Sequence, residues 1–472
     1  MSDSAPAVQS STELTDTAAI RVAVKDPPRV RTRARRVEAW LLLFALLIVA
    51  FSITLVELGA LGSLNVQIFV LMLPLSVLVI GYHILLRIFA SNADPIMLPT
   101  ATLINGIGIA FLYRIDIARD LSGWSSLSVR QVAWTAISLI ASAIVLVAIR
   151  SHRPLQRYTY IFGLLAVLLL LSPLIPGIGV EVSGARLWLQ IGPFSIQPGE
   201  FAKIALAIFF AGYLVARRDS LSVVGKKVLG FTFPRLRDTG PILVFWALSM
   251  LILVSQRDLG TSLLYFGLFL VMIYVATNRS SWIVIGLVLF AAGALIASRL
   301  FSYVGDRIGA WLHPFDSQWY DAWGGSYQLV QGLFGFAAGG FIGTGLGQGM
   351  PNLTPKVEND FIFSGLGEEL GLVGVFALLC MYLILVSRGL RIGFTGQDDF
   401  GRLLAVGLSF TIALQCFIVI GGITRVIPMT GLTTPFLAAG GSSLMANWII
   451  IGILLRISDS VRSEAREVAE RE

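Results

Sequence analysis

The sequence predicts an all-α polytopic integral membrane protein of about twelve transmembrane helices with both termini in the cytoplasm. Three observations predict it. Of 472 residues, 56% are hydrophobic and only 13% charged, whereas about a quarter of a soluble domain is charged; the mean hydropathy is +0.81. The apolar residues come in blocks near the ~20 residues a helix needs to cross a bilayer, without the alternation of a β-barrel strand. Lys and Arg fall in tails and short loops between those blocks. The net charge of +7 therefore reads as membrane orientation, and no nucleic-acid partner is expected.

Residues 1–38 are polar, rich in Ser, Thr, Ala and Pro, and close on Arg29, Arg31, Arg33, Arg35 and Arg36. This predicts a disordered tail held in the cytoplasm by its arginines. It is too long and polar for a secretory leader, and no small-residue cleavage site follows the first apolar run. Spans are expected at Trp40–Leu58, Leu64–Leu86, Met97–Tyr113, Val129–Ile149, Tyr158–Ile175, Glu200–Ala216, Pro241–Val254, Gly260–Thr277, Trp282–Leu300, Phe361–Val386, Arg402–Gly422 and Phe436–Arg456. Counted from an inside N-terminus, the cytoplasmic loops are basic, with Arg87, Arg150, Arg153, Arg157, Arg217, Arg218, Lys226, Lys227, Arg279, Arg388 and Arg391. Outer loops are poorer in cations, apart from Arg114, Arg119 and Arg130 in one and Arg299, Arg307 and Lys356 around another. The unusual sequence lies outside: 175–199, 257–260, 301–360 and 422–435.

Within the long outer loop, 301–323 mixes aromatic and charged residues, as amphipathic surface helices do. Leu329–Phe341 is apolar but too short to span, and Gly335 and Gly339 suit a re-entrant segment packed closely on other helices. The run Gly343-Thr344-Gly345-Leu346-Gly347-Gln348-Gly349 has no strand–helix context for a dinucleotide fold. It reads as a tight loop whose backbone N–H groups are also available to a pyrophosphate. Cys380 and Cys416 sit inside apolar runs, so no disulfide framework follows. His83, His152 and His313 have no second ligand at metal spacing.

Four outer clusters carry chemistry-bearing residues. The first is Gly184-Ala185-Arg186-Leu187-Trp188 with Gln197-Pro198-Gly199-Glu200-Phe201-Ala202-Lys203. Glu200 and Lys203 share one face of a helix's first turn. An interfacial ion pair explains them plainly, but Lys203 lies well inside an apolar run, where it must snorkel or line a wet cavity. The second is Arg257-Asp258-Leu259-Gly260-Thr261-Ser262, with Asp258 either a helix N-cap, a surface partner of Arg257, or a working carboxylate. The third runs from Glu358 and Asp360 to Glu368-Glu369, whose buried carboxylates need partners. The fourth joins Arg425 and Pro428-Met429-Thr430-Gly431-Leu432 to Gly440-Gly441-Ser442-Ser443-Leu444, a cation with small hydroxyl residues for close helix packing. Together they point to a polar outward cavity for a charged amphiphile.

These motifs, with Gly345-Leu346-Gly347-Gln348 and Asp360-Phe361-Ile362-Phe363, resemble in kind and order the signatures of the RodA/FtsW/SpoVE family, the SEDS proteins. The resemblance covers roughly 121–457, as a glycosyltransferase core containing the extracytoplasmic loop 301–358 and followed by a cytoplasmic tail, 458–472. The spans within 39–120 are additional to the usual ten and resemble the longer, elongation-type RodA form. Gly199, where Ser is common, and Leu437-Ala438-Ala439-Gly440, where an aromatic often precedes Gly-Gly-Ser-Ser, depart from the pattern without removing a reactive group.

The resemblance implies a SEDS-type fold and an inverting peptidoglycan glycosyltransferase at the outer face of the bacterial plasma membrane. Such an enzyme moves the growing undecaprenyl-pyrophosphate-linked strand onto the GlcNAc 4-hydroxyl of lipid II, forming β-1,4 linkages during cell-wall elongation. Asp258 carries over as the catalytic carboxylate, and Glu200 and Lys203 as the family's Glu and Lys. The expected substrate-contact set is Arg186, Trp188, Gln197, Glu200, Lys203, Arg257, Arg425, Ser442 and Ser443. A divalent cation, Mg²⁺ or Mn²⁺, could assist the departing pyrophosphate. The implied partner is a class B penicillin-binding protein, a transpeptidase. The alternatives are a lipid II flippase, a scaffold that recruits the transpeptidase, and a division-type FtsW polymerase. Polar clusters confined to one side favour the enzyme over the flippase.

Overall fold

The computed structural model describes residues 28–470 except 183, 193, 223–226, 229–230, 233–243, 245–246, 249–250, 252–255 and 323–324. The helices are α1 (Pro28–Leu61), α2 (Gln67–Phe89), α3 (Met97–Ala118), α4 (Leu127–Ala148), α5 (Thr159–Leu171), α6 (Pro198–Ser222), α7 (Leu259–Thr277), α8 (Ser281–Leu300), α9 (Ser302–Leu312), α10 (Tyr327–Gly339), α11 (Ile362–Thr395), α12 (Asp399–Ile423) and α13 (Gly441–Ala469). Among the described residues, eleven helices are long and apolar enough to cross a membrane. The twelfth expected span, 241–254, falls almost wholly outside them.

Local sequence sets several helix starts. The Ser126 side chain accepts from Val129 N ahead of α4, Asp258 from Thr261 N ahead of α7, and Asp398 from Gly401 N ahead of α12, each satisfying an otherwise orphaned donor. Asn278, left-handed at φ 54°, ends α7.

Packing brings α13 against α4, α11 against α12, α1 against α3 and α5 against α6. The interior holds Trp448, Phe111 and Phe363, while Trp40, Phe44, Phe51, Phe69 and Leu73 remain exposed. Lipid is as apolar as those side chains, so association between spans rests on close packing and interhelical polar contacts. Gly108 shows the closeness required: a Cβ there would lie 2.4 Å from the Leu437 carbonyl oxygen.

Helix α1 includes residues that composition assigns to a disordered tail. Arg35 and Glu38 are buried, 2.5 Å apart, and Glu38 meets His83 at 2.5 Å. Arg35 also donates to the Ala93 carbonyl. Partners more than forty residues away in sequence turn an apparent tail into a packed helix.

A short antiparallel sheet adds to the helical fold: β1 (Gly179–Val182), β2 (Ala185–Ile191) and β3 (Phe194–Ile196). Gly184 (φ 80°) and Gly192 (φ 60°) occupy the left-handed conformations its tight turns need.

Amides of the glycine run 343–349 are engaged by the chain's own carboxylates and carbonyls. The N–H groups of Gly347 and Gly349 donate to the Glu369 carboxylate at 3.0 and 3.3 Å, and Met350 N donates to Glu368 at 2.8 Å. Thr344 and Gly345 donate to the carbonyls of Glu368 and Glu369. Helix α11 kinks at Gly371, whose φ is 66°. A Cβ there would lie 2.2 Å from Gly343 N, so the kink and the loop depend on each other. The short helix α10 packs on α11. Gly335 and Gly339 permit its approach to Ser364 and to the Gly367 backbone.

Candidate active site

The motifs meet at a cavity of about 400 Å³ at the start of α7. Antiparallel pairing, with Val180 opposite Trp188 and Leu189 opposite Ile196, presents Leu187 and Trp188 to one wall. The strand then delivers Gln197 and Glu200 at the start of α6. Helix α9 contributes Arg307 and Trp311, the segment before α11 contributes Lys356, Asn359 and Asp360, and residues 429–433 close the far side.

Asp258 is 4% exposed yet lines this cavity. Its Oδ1 accepts from Thr261 N at 3.0 Å and its Oδ2 from the Thr261 hydroxyl. Burial pushes its carboxyl above the ordinary range, offset in part by the Thr261 bonds and by the positive charge of Arg307. The cap and the working-carboxylate readings are therefore one arrangement, in which capping aims the group. Arg257 lies in a left-handed conformation at φ 56°. Its guanidinium stands 6.0 Å from the Tyr303 ring centroid on the cavity rim.

Glu200 also lines the cavity. Lys203 does not: it is 1% exposed and donates to Glu200 at 2.5 Å, Gln415 at 2.9 Å and Asn447 at 3.3 Å. The charge is met by Glu200 on the same helix and by neutral side chains of α12 and α13, without the snorkelling or wet cavity that its sequence position suggests. Its effect on the cavity passes through Glu200.

Four other expected contacts sit elsewhere. Arg186 pairs with Glu181 across β1 and β2 at 3.1 Å, with 59% of its side chain exposed. Arg425 reaches toward the Leu312 carbonyl at 3.4 Å and is not on the lining. Ser442 accepts from Gln197 N at 3.0 Å and Ser443 bonds Asn447; both are buried packing groups. Arg186→Ala is expected to change the thermal stability of the detergent-solubilised protein by less than about 1 kcal/mol, as for other exposed pairs.

The lining contains three charged residues absent from the expected set: Arg307, Lys356 and Asp360. Burial pushes the Asp360 carboxyl up to about 6, against the pull of Lys356 and Arg307. In the sequence Asp360 stands in the third outer cluster and in a family motif without an assigned contact, and Arg307 and Lys356 are cations in a long loop. Among the described residues no three His, Cys, Asp or Glu converge as a protein-held metal site requires. An ion here would need oxygens from the substrate.

Beside the polar cavity lies an apolar groove of about 320 Å³ formed by α7, α8, α9 and α12. Leu263, Phe266, Ala294, Val304 and Phe417 line it, and Thr430 lines both spaces.

The FtsW/RodA/SpoVE family profile, described as "Cell cycle protein", matches residues 94–463. The chain is 47% identical over 387 residues to the peptidoglycan glycosyltransferase RodA of Mycobacterium tuberculosis, covering 81% of this chain and 82% of that one. Its fold is similar to that of a chain in a solved peptidoglycan synthase complex, with TM-score 0.61 and 24% identity over 78% of this chain and 98% of the other. It is also similar to Thermus thermophilus RodA, with TM-score 0.53 and 23% identity over 78% and 96%. By sequence and by fold, this chain belongs to the FtsW/RodA/SpoVE family of multi-pass membrane proteins.

Proposed function

We propose that this chain is a RodA-type peptidoglycan glycosyltransferase that polymerises lipid II at the outer face of the plasma membrane. The 47% identity to a relative named for this activity supports the reaction class. The observation that carries the mechanism is the buried, cavity-facing carboxylate of Asp258 beside Arg257, in a polar space that shares Thr430 with an apolar groove. Such a site suits a substrate with an anionic head and a long hydrocarbon tail.

Asp258 accepts the proton of the acceptor GlcNAc 4-hydroxyl as its oxygen attacks the anomeric carbon of the donor strand. The anomeric C–O bond to the polyprenyl pyrophosphate breaks, and the electron pair departs on the pyrophosphate. Attack opposite the leaving group inverts the anomeric centre to a β-1,4 linkage. Cations on the lining oppose the charge that builds on the leaving group. Glu200, held by Lys203, orients the acceptor. The core is 121–457, preceded by the additional helices within 39–120; twelve spans keep both termini inside and turn Asp258 outward. A class B penicillin-binding protein crosslinks the product, docking through the 301–358 loop.

The test supplies fluorescent lipid II to the purified chain with its transpeptidase partner and resolves the products by gel. Glycan ladders are expected. Lipid II moving between vesicle leaflets without any polymer would replace this reading with a flippase.

A further inference from the structure

The cations near the cavity differ in what neutralises them. Arg186 has Glu181, Lys203 has Glu200, Arg119 has Glu358 and Arg114 has Glu369, all within 3.1 Å. Two arginines on the lining, Arg257 and Arg307, form no ion pair among the described residues; Arg257 stands over the Tyr303 ring, whereas Arg307 is fixed by backbone. Its Nη1 donates to two neutral backbone carbonyls, Met429 O at 3.2 Å and Thr430 O at 3.3 Å. Among the described residues no carboxylate forms an ion pair with it. The neighbouring Trp311 Nε1 donates to the Arg425 carbonyl at 3.0 Å, so α9 is tied twice to the segment after α12. The carbonyls fix the guanidinium without cancelling its charge, and a guanidinium has five donors, more than these two bonds use.

Its position is also central. Arg307 lines the cavity, and its charge acts on Asp258 at one wall and on Asp360 at another. The next residue, Ile308, lines the apolar groove, as does Thr430, whose carbonyl Arg307 holds. Arg307 thus marks the junction of polar cavity and groove, where the phosphate group nearest a hydrocarbon tail would lie.

We infer that Arg307 is the pyrophosphate-receiving residue of the site, its fork binding the anion of a polyprenyl pyrophosphate whose tail enters the adjoining groove. The inference rests on the transferase reading and adds to it which cation meets the leaving group. Arginine suits this task because its planar fork bonds two phosphate oxygens at once. Asp360 sets the pH response. Ionised, it offsets part of the Arg307 charge; protonated, it leaves that charge to the ligand. Relative to Asp360→Asn, in which the ligand's own phosphate still titrates, wild-type pyrophosphate binding therefore gains as the pH falls toward about 6, with Lys356, Arg257, Glu200, Glu358 and Asp258 as the other charged groups around the cavity.

Binding to the full chain in nanodiscs is measured by displacement of a fluorescent undecaprenyl pyrophosphate with unlabelled undecaprenyl pyrophosphate, undecaprenyl phosphate or undecaprenol. Wild type should prefer the pyrophosphate to the alcohol. Arg307→Gln, which removes the charge and is too short to reach the Met429 and Thr430 carbonyls, should cut that preference roughly tenfold or more, the size of a lost charge-assisted bond. Affinity for undecaprenol should be unchanged, which also reports an intact fold. Arg307→Lys should fall between, and Arg186→Met should match wild type. Asp360→Asn should keep only the pH dependence of the ligand's own phosphate. A full pyrophosphate preference in Arg307→Gln, or an equal loss in Arg186→Met, would overturn the assignment while polymerisation by wild type still supported the transferase. A pyrophosphate preference that depends on Arg307, in a chain that polymerises no lipid II, would keep this site and remove the transferase.

Discussion

Asp258→Asn is expected to lower lipid II polymerisation by roughly 10²- to 10⁴-fold, the range for loss of a general base. The substitution separates chemistry from folding. Asn caps helices about as well as Asp, so the bond from Thr261 N that starts α7 survives, and the thermal midpoint should move little. What disappears is the charge that accepts the hydroxyl proton. The pH profile gives an independent reading. A base works only when ionised, and burial raises the Asp258 carboxyl above its ordinary range. Wild-type activity should therefore fall on acidification at a higher pH than an exposed carboxylate would dictate, and recover on the alkaline side. Wild-type rates in Asp258→Asn, measured from glycan ladders over time, would show that the proton goes elsewhere.

Arg114→Met should carry the largest stability cost, about 3–5 kcal/mol, the usual range for removing one partner of a buried ion pair. Arg114 bonds Glu369 at 2.9 Å and the Gly349 carbonyl at 2.6 Å, and both charged residues are buried. The substitution leaves Glu369 facing only the N–H groups of Gly347 and Gly349. It also removes the bond to the Gly349 carbonyl that ties the loop to α3. Adding Glu369→Gln should return a substantial part of the loss, because the stranded charge is then gone. Unfolding of the four members of this cycle in one detergent measures the coupling. Additive single effects would mean that the pair holds nothing together.

The contrast between Lys203 and Arg307 shows where sequence reasoning succeeds and where it stops. Lys203 is conspicuous because it interrupts an apolar block; that marks it as costly without naming what meets the cost. Its partners Gln415 and Asn447 are more than two hundred residues away and look like ordinary polar insertions in helices. Arg307 is inconspicuous because the surrounding loop is full of charge. Its distinction is a guanidinium fixed by backbone carbonyls where the polar cavity meets the apolar groove, and that is a property of space. Arg186 fails in the opposite direction: it stands inside a recognisable motif but points to a strand partner, Glu181.

Hydropathy and charge by themselves determined the membrane class and the positions of eleven described spans to within a few residues at most ends; the resemblance of the Asp258 motif to a family signature singled out the carboxylate to test. Those features are local: a span is a run of apolar side chains, and a cap is a side chain three residues from the N–H it serves. Tertiary structure alone decided which charges face the cavity and which are consumed by the fold. It spent the Thr344, Gly345, Gly347 and Gly349 amides on Glu368 and Glu369, drew Arg35 and Glu38 out of an apparent tail, and brought Arg307, Lys356 and Asp360 beside Asp258. The physical reason is that a buried charge is defined by its partner, and these partners lie on segments whose meeting depends on the packing of the whole bundle.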